Sequence, residues 1–111
     1  PAGAGIQAGV SYMYNIWTDS ASVDLWFQNP SAETNKRLFD AYFARREEIE
    51  RHFGAPLLWE RMDERRASRI RFDISSGGLR SPEDEWPALQ DEMIDAMDRL
   101  SRAIKAAGTM Q

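Results

Sequence analysis

Two arginines on one predicted strand are the residues of this sequence best placed to make contacts at a surface. In the segment Ser68–Ile74, Arg69 and Arg71 alternate with apolar residues, so both arginines point to the same side of the strand. Trp26 lies on the polar side of an earlier predicted strand, and Arg61 lies a few residues before the arginine strand. Arginine and tryptophan are both enriched at interfaces. The candidate binding residues are therefore Trp26, Arg61, Arg69 and Arg71.

Three interpretations of this face stay open at the level of sequence. It contacts protein, meaning another domain or a second copy of the chain; it binds nucleic acid through stacking and charge; or its arginines form ion pairs with Asp24, Glu60 and Asp73. The net charge of −4 weighs against bulk binding of nucleic acid. Our first prediction is a non-catalytic interaction domain, and the alternative is a nucleic-acid-binding accessory module.

No residue pattern predicts an enzyme. A restriction-type nuclease needs a lysine one residue away from an acid on a strand, whereas Lys36 and Lys105 both fall in predicted helices. His52 is the single histidine and the chain has no cysteine, so a zinc site would need three carboxylates. At the end of a predicted helix, His52 is better explained as a surface residue. We expect no catalytic residue, no metal and no cofactor.

Two further patterns have simple explanations. Gly77–Gly78 is followed by four residues before any helix signal and lacks the lysine-serine signature of a phosphate loop, so it predicts a flexible turn. The last helix carries acidic residues at a spacing that resembles a metal site, and a solvated helix face explains them better. These residues are Asp91, Glu92, Asp95 and Asp98.

The elements that must position these residues follow the pattern ββαββα. Alternation predicts strands over Gln7–Trp17, Ala21–Gln28, Leu57–Met62 and Ser68–Ile74. Apolar stripes predict one helix that begins at Asn29–Ser31 and ends at Phe53, and another over Pro87–Ala107. This pattern favours a two-layer α+β fold, in which an antiparallel sheet of about four strands carries both amphipathic helices on one face. The opposite face would then present the two arginines.

Length and composition are typical of one globular domain. The 111 residues are 42% apolar and 29% charged, which predicts a single domain over residues 1–111. The lack of cysteine is compatible with a reducing cytoplasm, where we place the chain. No apolar run approaches the roughly 20 residues that cross a bilayer, so we expect no membrane partner. The Gly/Ala-rich start indicates a processed end or a C-terminal piece of a longer chain.

Several segments, taken in order, resemble a known family. They are Asn35–Asp40, Arg46–Glu50, Gly54, Leu58–Arg61, Ala67–Ile70 and Glu85–Pro87. Together they are similar to the family called domain of unknown function 4268, over roughly residues 21–105. The resemblance implies a prokaryotic accessory domain that often follows a restriction-endonuclease-like part, and it implies no catalytic residues. The chain departs from the family in having little sequence before its first strand.

Overall fold

The structure has the predicted α+β architecture. A computed structural model describes residues 9–74, 77–78 and 80–108. It contains strands β1 (Val10–Ile16), β2 (Ala21–Phe27), β3 (Leu58–Glu60) and β4 (Ser68–Ile74), and helices α1 (Ala32–Phe43), α2 (Arg46–Phe53) and α3 (Trp86–Gly108), with a short 3-10 turn at Glu83–Glu85. The four strands form one antiparallel sheet in the order β1-β2-β4-β3.

The strand positions follow the alternation of the sequence closely. Strand β4 has the predicted bounds, and β2 ends one residue earlier than predicted. The third strand is shorter than predicted, because only three residues pair with β4. The predicted start of the first strand at Gln7 lies outside the described residues, as do Ser75 and Ser76 of the predicted loop.

The core lies between the helices and one face of the sheet. The strands contribute a set of side chains that are at most 1% exposed: Ala21, Val23, Leu25, Phe27, Ile70 and Ile74. The helices cover them with Phe39, Ile49, Phe53, Leu89, Met93, Ala96, Leu100, Ala103, Ile104 and Ala107. Burying one large apolar side chain contributes roughly 1.5–3 kcal/mol. The sequence predicts that Ile70, Phe72 and Ile74 face the helices, and all three do. Ile70 and Ile74 are fully buried, whereas Phe72 is half-buried and packs its ring against Phe53 of α2.

The first predicted helix is in fact two helices. At the junction the amide of Arg45 donates to the carbonyl of Tyr42, three residues back, at 2.9 Å, and Arg45 leaves helical geometry with φ −111° and ψ 20°. The new direction of α2 places Ile49 and Phe53 in the core. Arg46, the basic residue that interrupts the apolar stripe of the predicted helix, is the first residue of α2.

The loop before α3 packs on the turn that joins β1 and β2. The amide of Arg80 donates to the carbonyl of Thr18 at 2.8 Å. Gly78 is buried there, and a Cβ on it would lie 2.4 Å from the carbonyl oxygen of Trp17. Gly78 therefore allows two backbones to approach closely, which is a packing role. Among the helices of the described ranges, none is long and apolar enough to cross a membrane.

Candidate interaction site on the open face of the sheet

The sheet face opposite the helices carries three of the four predicted binding residues. Cross-strand pairing places Trp26 beside Arg69 and Arg69 beside Glu60, and it places Asp24 between Met13 and Arg71. Alternation extends this face along each strand. We call it the open face, and it consists of Ser11, Met13, Asn15, Trp17, Ser22, Asp24, Trp26, Leu58, Glu60, Arg69, Arg71 and Asp73.

Arg69 is held by three neighbours on the open face. Its Nε donates to the carboxylate of Glu60, and its Nη1 lies 3.7 Å from Oδ2 of Asp24. Its guanidinium carbon lies 5.0 Å from the centre of the Trp26 ring, within the range of a cation–π contact. Only 20% of the Arg69 side chain is exposed. The guanidinium group is therefore fixed across strands rather than extended into solvent.

Arg71 has a similar environment closer to the β1–β2 turn. Its Nε donates to Oδ1 of Asp73 at 2.6 Å, and its guanidinium carbon lies 4.6 Å from the centre of the Trp17 ring. Its side chain is 18% exposed. The carboxylates that the sequence offered as ion-pair partners are thus the ones that Arg69 and Arg71 contact. On this face each arginine forms the ion pair that one of the three interpretations predicted, and each arginine also stacks on a tryptophan ring.

Strand β2, between β1 and β4, is buried on the side of the open face as well as on the side of the helices. Ser22 and Asp24 are both 0% exposed, and the hydroxyl of Ser22 donates to Oδ1 of Asp24 at 2.6 Å. Within the described residues, Oδ2 of Asp24 and Nε1 of Trp26 are buried without a hydrogen-bond partner. The arginine and tryptophan side chains pack together above β2 and shield it from solvent. This burial was not predicted, because alternation alone assigns the polar side of a strand to solvent.

Apolar side chains surround the paired arginines and remain accessible. Met13 is 39% exposed, Trp17 is 38% exposed and Leu58 is 45% exposed. Large apolar residues beside partly buried arginine are typical of protein interfaces. Leu58 was missed by sequence reasoning, because apolar and polar residues do not alternate along the predicted strand Leu57–Met62. Its pairing with Arg71 places it on the open face.

Arg61 lies apart from the other three predicted binding residues. Its Nε and Nη2 donate to the two carboxylate oxygens of Asp40 in α1 at 2.8 and 3.0 Å, and Nη1 contacts Asp63. The hydrogen bond from Arg61 holds the pKa of Asp40 below its usual range. Arg61 therefore joins the segment after β3 to α1 on the helix side of the molecule.

Lys36 holds the same segment from α1. Its Nζ donates to the carbonyl oxygens of Arg61 at 2.5 Å, Met62 at 2.8 Å and Ala67 at 2.8 Å. The hydroxyl oxygen of Ser68, at 2.9 Å, is a fourth acceptor that shares the three protons of the amine. Loss of water contact is the main cause that lowers the pKa of Lys36. The amine thus organises the backbone between β3 and β4, including Met62 with its φ of +54°.

Asn35, next to Lys36, also holds backbone in place through hydrogen bonds, and it is 0% exposed. Its Oδ1 accepts from the amide of Asn29 at 2.7 Å, and its Nδ2 donates to the carbonyls of Asn29 at 3.1 Å and Arg66 at 2.8 Å. The family-like pair Asn35-Lys36 is therefore architectural. Sequence reasoning did not assign it a role, although two adjacent polar residues inside an amphipathic helix were a visible signal.

Glu50 of α2 secures the start of β3. Its Oε2 accepts from the amide of Leu57 and from Nε1 of Trp59, both at 2.9 Å. Trp59 also packs its ring against Phe39 and Phe43 of α1. The tryptophan of the family-like Trp59-Glu60-Arg61 segment therefore ties β3 to both α1 and α2, and Glu60 supports the open face through Arg69.

The remaining candidates lie on ordinary surface. His52 is exposed in the last turn of α2. On α3, Asp95 pairs with Arg99 and Asp98 pairs with Arg102, both at 3.1 Å. In the parts of the chain that the structure describes, no group of three histidine, cysteine, aspartate or glutamate side chains is arranged to hold a metal ion.

Comparison with known protein families gives a match over nearly the whole chain. The family model with the description "Domain of unknown function (DUF4268)" matches residues 2–107. No curated protein and no solved structure matches the chain.

Proposed function

This chain belongs to the DUF4268 family, and from that premise we propose that it is a non-catalytic interaction domain whose open face docks on another protein domain. The observation that carries the proposal is the environment of Arg69 and Arg71. Each guanidinium is paired with a carboxylate and lies over a tryptophan ring. Trp17 and Leu58 remain accessible beside them. Such a preformed patch loses little side-chain entropy when a partner binds.

The charge of the open face favours protein over nucleic acid. The face holds two arginines against three acids, Asp24, Glu60 and Asp73, so its formal charge is −1. A nucleic-acid platform needs cationic groups that are available to phosphates, whereas these arginines already contact carboxylates. The same net charge disfavours the docking of two open faces on each other.

The partner should have an apolar centre and a basic rim. The apolar centre would contact Met13, Trp17 and Leu58, and the rim would lie near the accessible carboxylates of Glu60 and Asp73. Charge complementarity of this kind selects partners more than it adds affinity. One candidate is the restriction-endonuclease-like part that the family resemblance implies. An accessory role beside such a part, in a prokaryotic cytoplasm, is our working prediction.

Site-specific photocrosslinking in the native host tests the proposal. Benzoylphenylalanine in place of Leu58 should crosslink to one protein, identified from its linked peptides. The same group in place of Ile94, which is 58% exposed on α3, is the matched control and should not give that product. The purified partner should then bind R71A about tenfold more weakly than the wild type, while R102A on α3 should bind like the wild type.

Two outcomes would contradict the proposal. One is a Leu58 product that is absent or identical to the Ile94 product. The other is binding of single-stranded oligonucleotides that weakens with salt and with R71A, which would favour the nucleic-acid alternative.

A further inference from the structure

Strand β1 forms an open edge of the sheet. Within the described ranges, β2 is the strand hydrogen-bonded to β1, and β1 stands at the end of the strand order. The edge runs over seven residues, Val10–Ile16, in regular antiparallel register with β2. A regular edge of this length offers a row of backbone donors and acceptors to another strand.

The phase of the β1–β2 ladder shows which backbone groups face outward. The amide of Gln28 donates to the carbonyl of Gly9, and the amide of Trp17 donates to the carbonyl of Ser20. Odd-numbered residues of β1 therefore bond to β2, because hydrogen-bonded and non-bonded pairs alternate along an antiparallel ladder. The even-numbered residues direct their N–H and C=O groups away from the sheet. They are Val10, Tyr12, Tyr14 and Ile16.

The sequence of β1 contains none of the usual protections of a sheet edge. The segment Val10–Ile16 contains no charged residue and no proline, the residue types that natural proteins place on edges to prevent pairing. Its large exposed side chains are apolar or aromatic, with Met13 on the open face and Tyr14 and Ile16 on the helix face, and the exposed Ser11 is polar but uncharged. Two copies of this edge carry no like charges to separate them.

We propose that β1 pairs with β1 of a second copy of this chain, antiparallel about a two-fold axis at Met13. This register makes Tyr12 and Tyr14 of the two copies neighbours, as well as Val10 and Ile16. The even-numbered residues then exchange hydrogen bonds between copies, while Met13 faces Met13 in a non-bonded pair. Each aromatic or apolar residue of the helix face meets another one, which is a favourable cross-strand combination.

The pairing produces one continuous sheet of eight strands. An axis perpendicular to the sheet keeps the two open faces on the same side. One open face measures roughly 400 Å² from strand spacing and length, about half of what a typical partner buries in a stable interface. The paired sheet reaches that size. The inference does not depend on the proposed function, since it concerns the edge and not the open face.

Single cysteines test the register, because the natural sequence has none. In M13C the two thiols should face each other with Cα atoms about 4.5–5.5 Å apart, within the range of a disulfide. Mild oxidation should convert most of the protein to a covalent dimer. S11C should crosslink at least tenfold more slowly, because Ser11 faces Asn15 of the second copy. L58C, on the exposed opposite edge, should be as slow as S11C.

A proline variant tests the edge without altering the open face. Tyr14→Pro removes an outward N–H and no β1–β2 hydrogen bond, and proline is tolerated at such edge positions. Sedimentation velocity should show a concentration-dependent dimer for the wild type and a monomer with an unchanged circular dichroism spectrum for Y14P. Should Y14P fail to fold, Y14K replaces it, since two lysines near the axis repel.

The proposal is overturned by a wild-type monomer at about 1 mM. It is also overturned if M13C crosslinks no faster than S11C or L58C, because another register or another occupant of the edge would give that result. The photocrosslink at Leu58 tests the open face separately, so failure of one proposal leaves the other measurable.

Discussion

The two edges of the sheet are built in different ways. The β3 edge has three residues, follows Pro56 closely, ends with the charged Glu60 and is followed directly by the charged Arg61. The β1 edge has seven residues and no charge, in a chain of which 29% is charged. The charged residues are therefore distributed unevenly between the edges. This difference indicates that charged side chains hinder the pairing of the β3 edge with another strand, whereas the β1 edge has no such protection.

The β3 edge and the β1 edge also differ in how they are attached to the rest of the chain. Side chains of α1 and α2 bind the backbone around β3 through Asn35, Lys36 and Glu50. On β1 the contacts to the rest of the chain come from the ladder to β2 and from apolar packing. Polar anchoring is specific but sensitive to single substitutions, so the two edges should respond differently to the same substitution.

The largest effect is expected at Asn35. Removing its amide in N35A leaves the amide of Asn29 and the carbonyl of Arg66 without their partner in a buried site, at a cost of about 3 kcal/mol. Urea denaturation measures this loss. The same substitution on the other edge, N15A, is the matched control and should change the free energy of unfolding by less than about 0.5 kcal/mol. Equal losses at the two positions would contradict the anchoring difference.

A smaller loss is expected at Glu50. E50A removes the acceptor for the amide of Leu57 and for Nε1 of Trp59, which should lower the free energy of unfolding by about 2 kcal/mol. E47A, an exposed position on the same helix, controls for the loss of a carboxylate. Tryptophan fluorescence, to which Trp59 contributes together with three other tryptophans, offers a second readout of whether β3 has moved. An E50A protein as stable as E47A would show that β3 does not depend on this carboxylate.

On the β1 edge the main expected effect is one of pH. Burial, with a smaller contribution from Tyr42, raises the pKa of Tyr12 to about 12. The raised pKa means that the unfolded chain loses its proton first, so stability is complete below about pH 10 and falls as the pH rises toward 12. We expect a loss of roughly 1–2 kcal/mol, since the phenol keeps some contact with water.

Y12F should remove the loss of stability at alkaline pH that comes from Tyr12. The loss that comes from Tyr42 should stay, because burial also raises the pKa of Tyr42. Y14F, an exposed position on the same strand, controls for the removal of one hydroxyl. Thermal unfolding measured from pH 8 to pH 12 gives the profiles. An identical profile for Y12F and the wild type would contradict the assignment of the loss to Tyr12.

The smallest effect is expected at Arg61. Its contacts with Asp40 and Asp63 are exposed to solvent, and exposed ion pairs add little to stability. R61A should therefore unfold at nearly the same urea concentration as R102A, which removes the surface ion pair between Arg102 and Asp98 on α3. Because the pKa of Asp40 is lowered, the contribution of this pair is present above the ordinary aspartate value and disappears as the pH falls below it. A clear destabilisation specific to R61A at neutral pH would assign Arg61 to the β3 anchor.

The strands and the helix-facing core were predictable because they depend on periodicity. Ser68–Ile74 alternates cleanly, and burying one face of each strand determines which of its residues point to the helices. Its pairing with Ala21–Phe27 was not predicted and is seen only in the structure. The break between α1 and α2 was not predicted, because it depends on a local 3-10 turn at Ala44–Arg45 that propensity does not encode.

The candidate site was predictable in part for the same reason. Alternation placed Trp26, Arg69 and Arg71 on one face, which the structure confirms. It could not place Arg61, whose partner Asp40 lies 21 residues earlier, nor could it show that Asp24 would be buried. Both features depend on contacts between distant parts of the chain, and a single sequence does not display such contacts.

The placement of α3 has a consequence for how the molecule assembles. Leu89 and Met93, from the last described helix, contribute to the same core as Val23 and Leu25 from the second strand. The first hairpin therefore has no complete cover until α3 has left the ribosome. Contacts between such distant residues slow folding because a long loop must close first. During synthesis the uncharged first strand is thus exposed on two sides at once, and the nascent hairpin is the stage at which a chaperone would have most to shield.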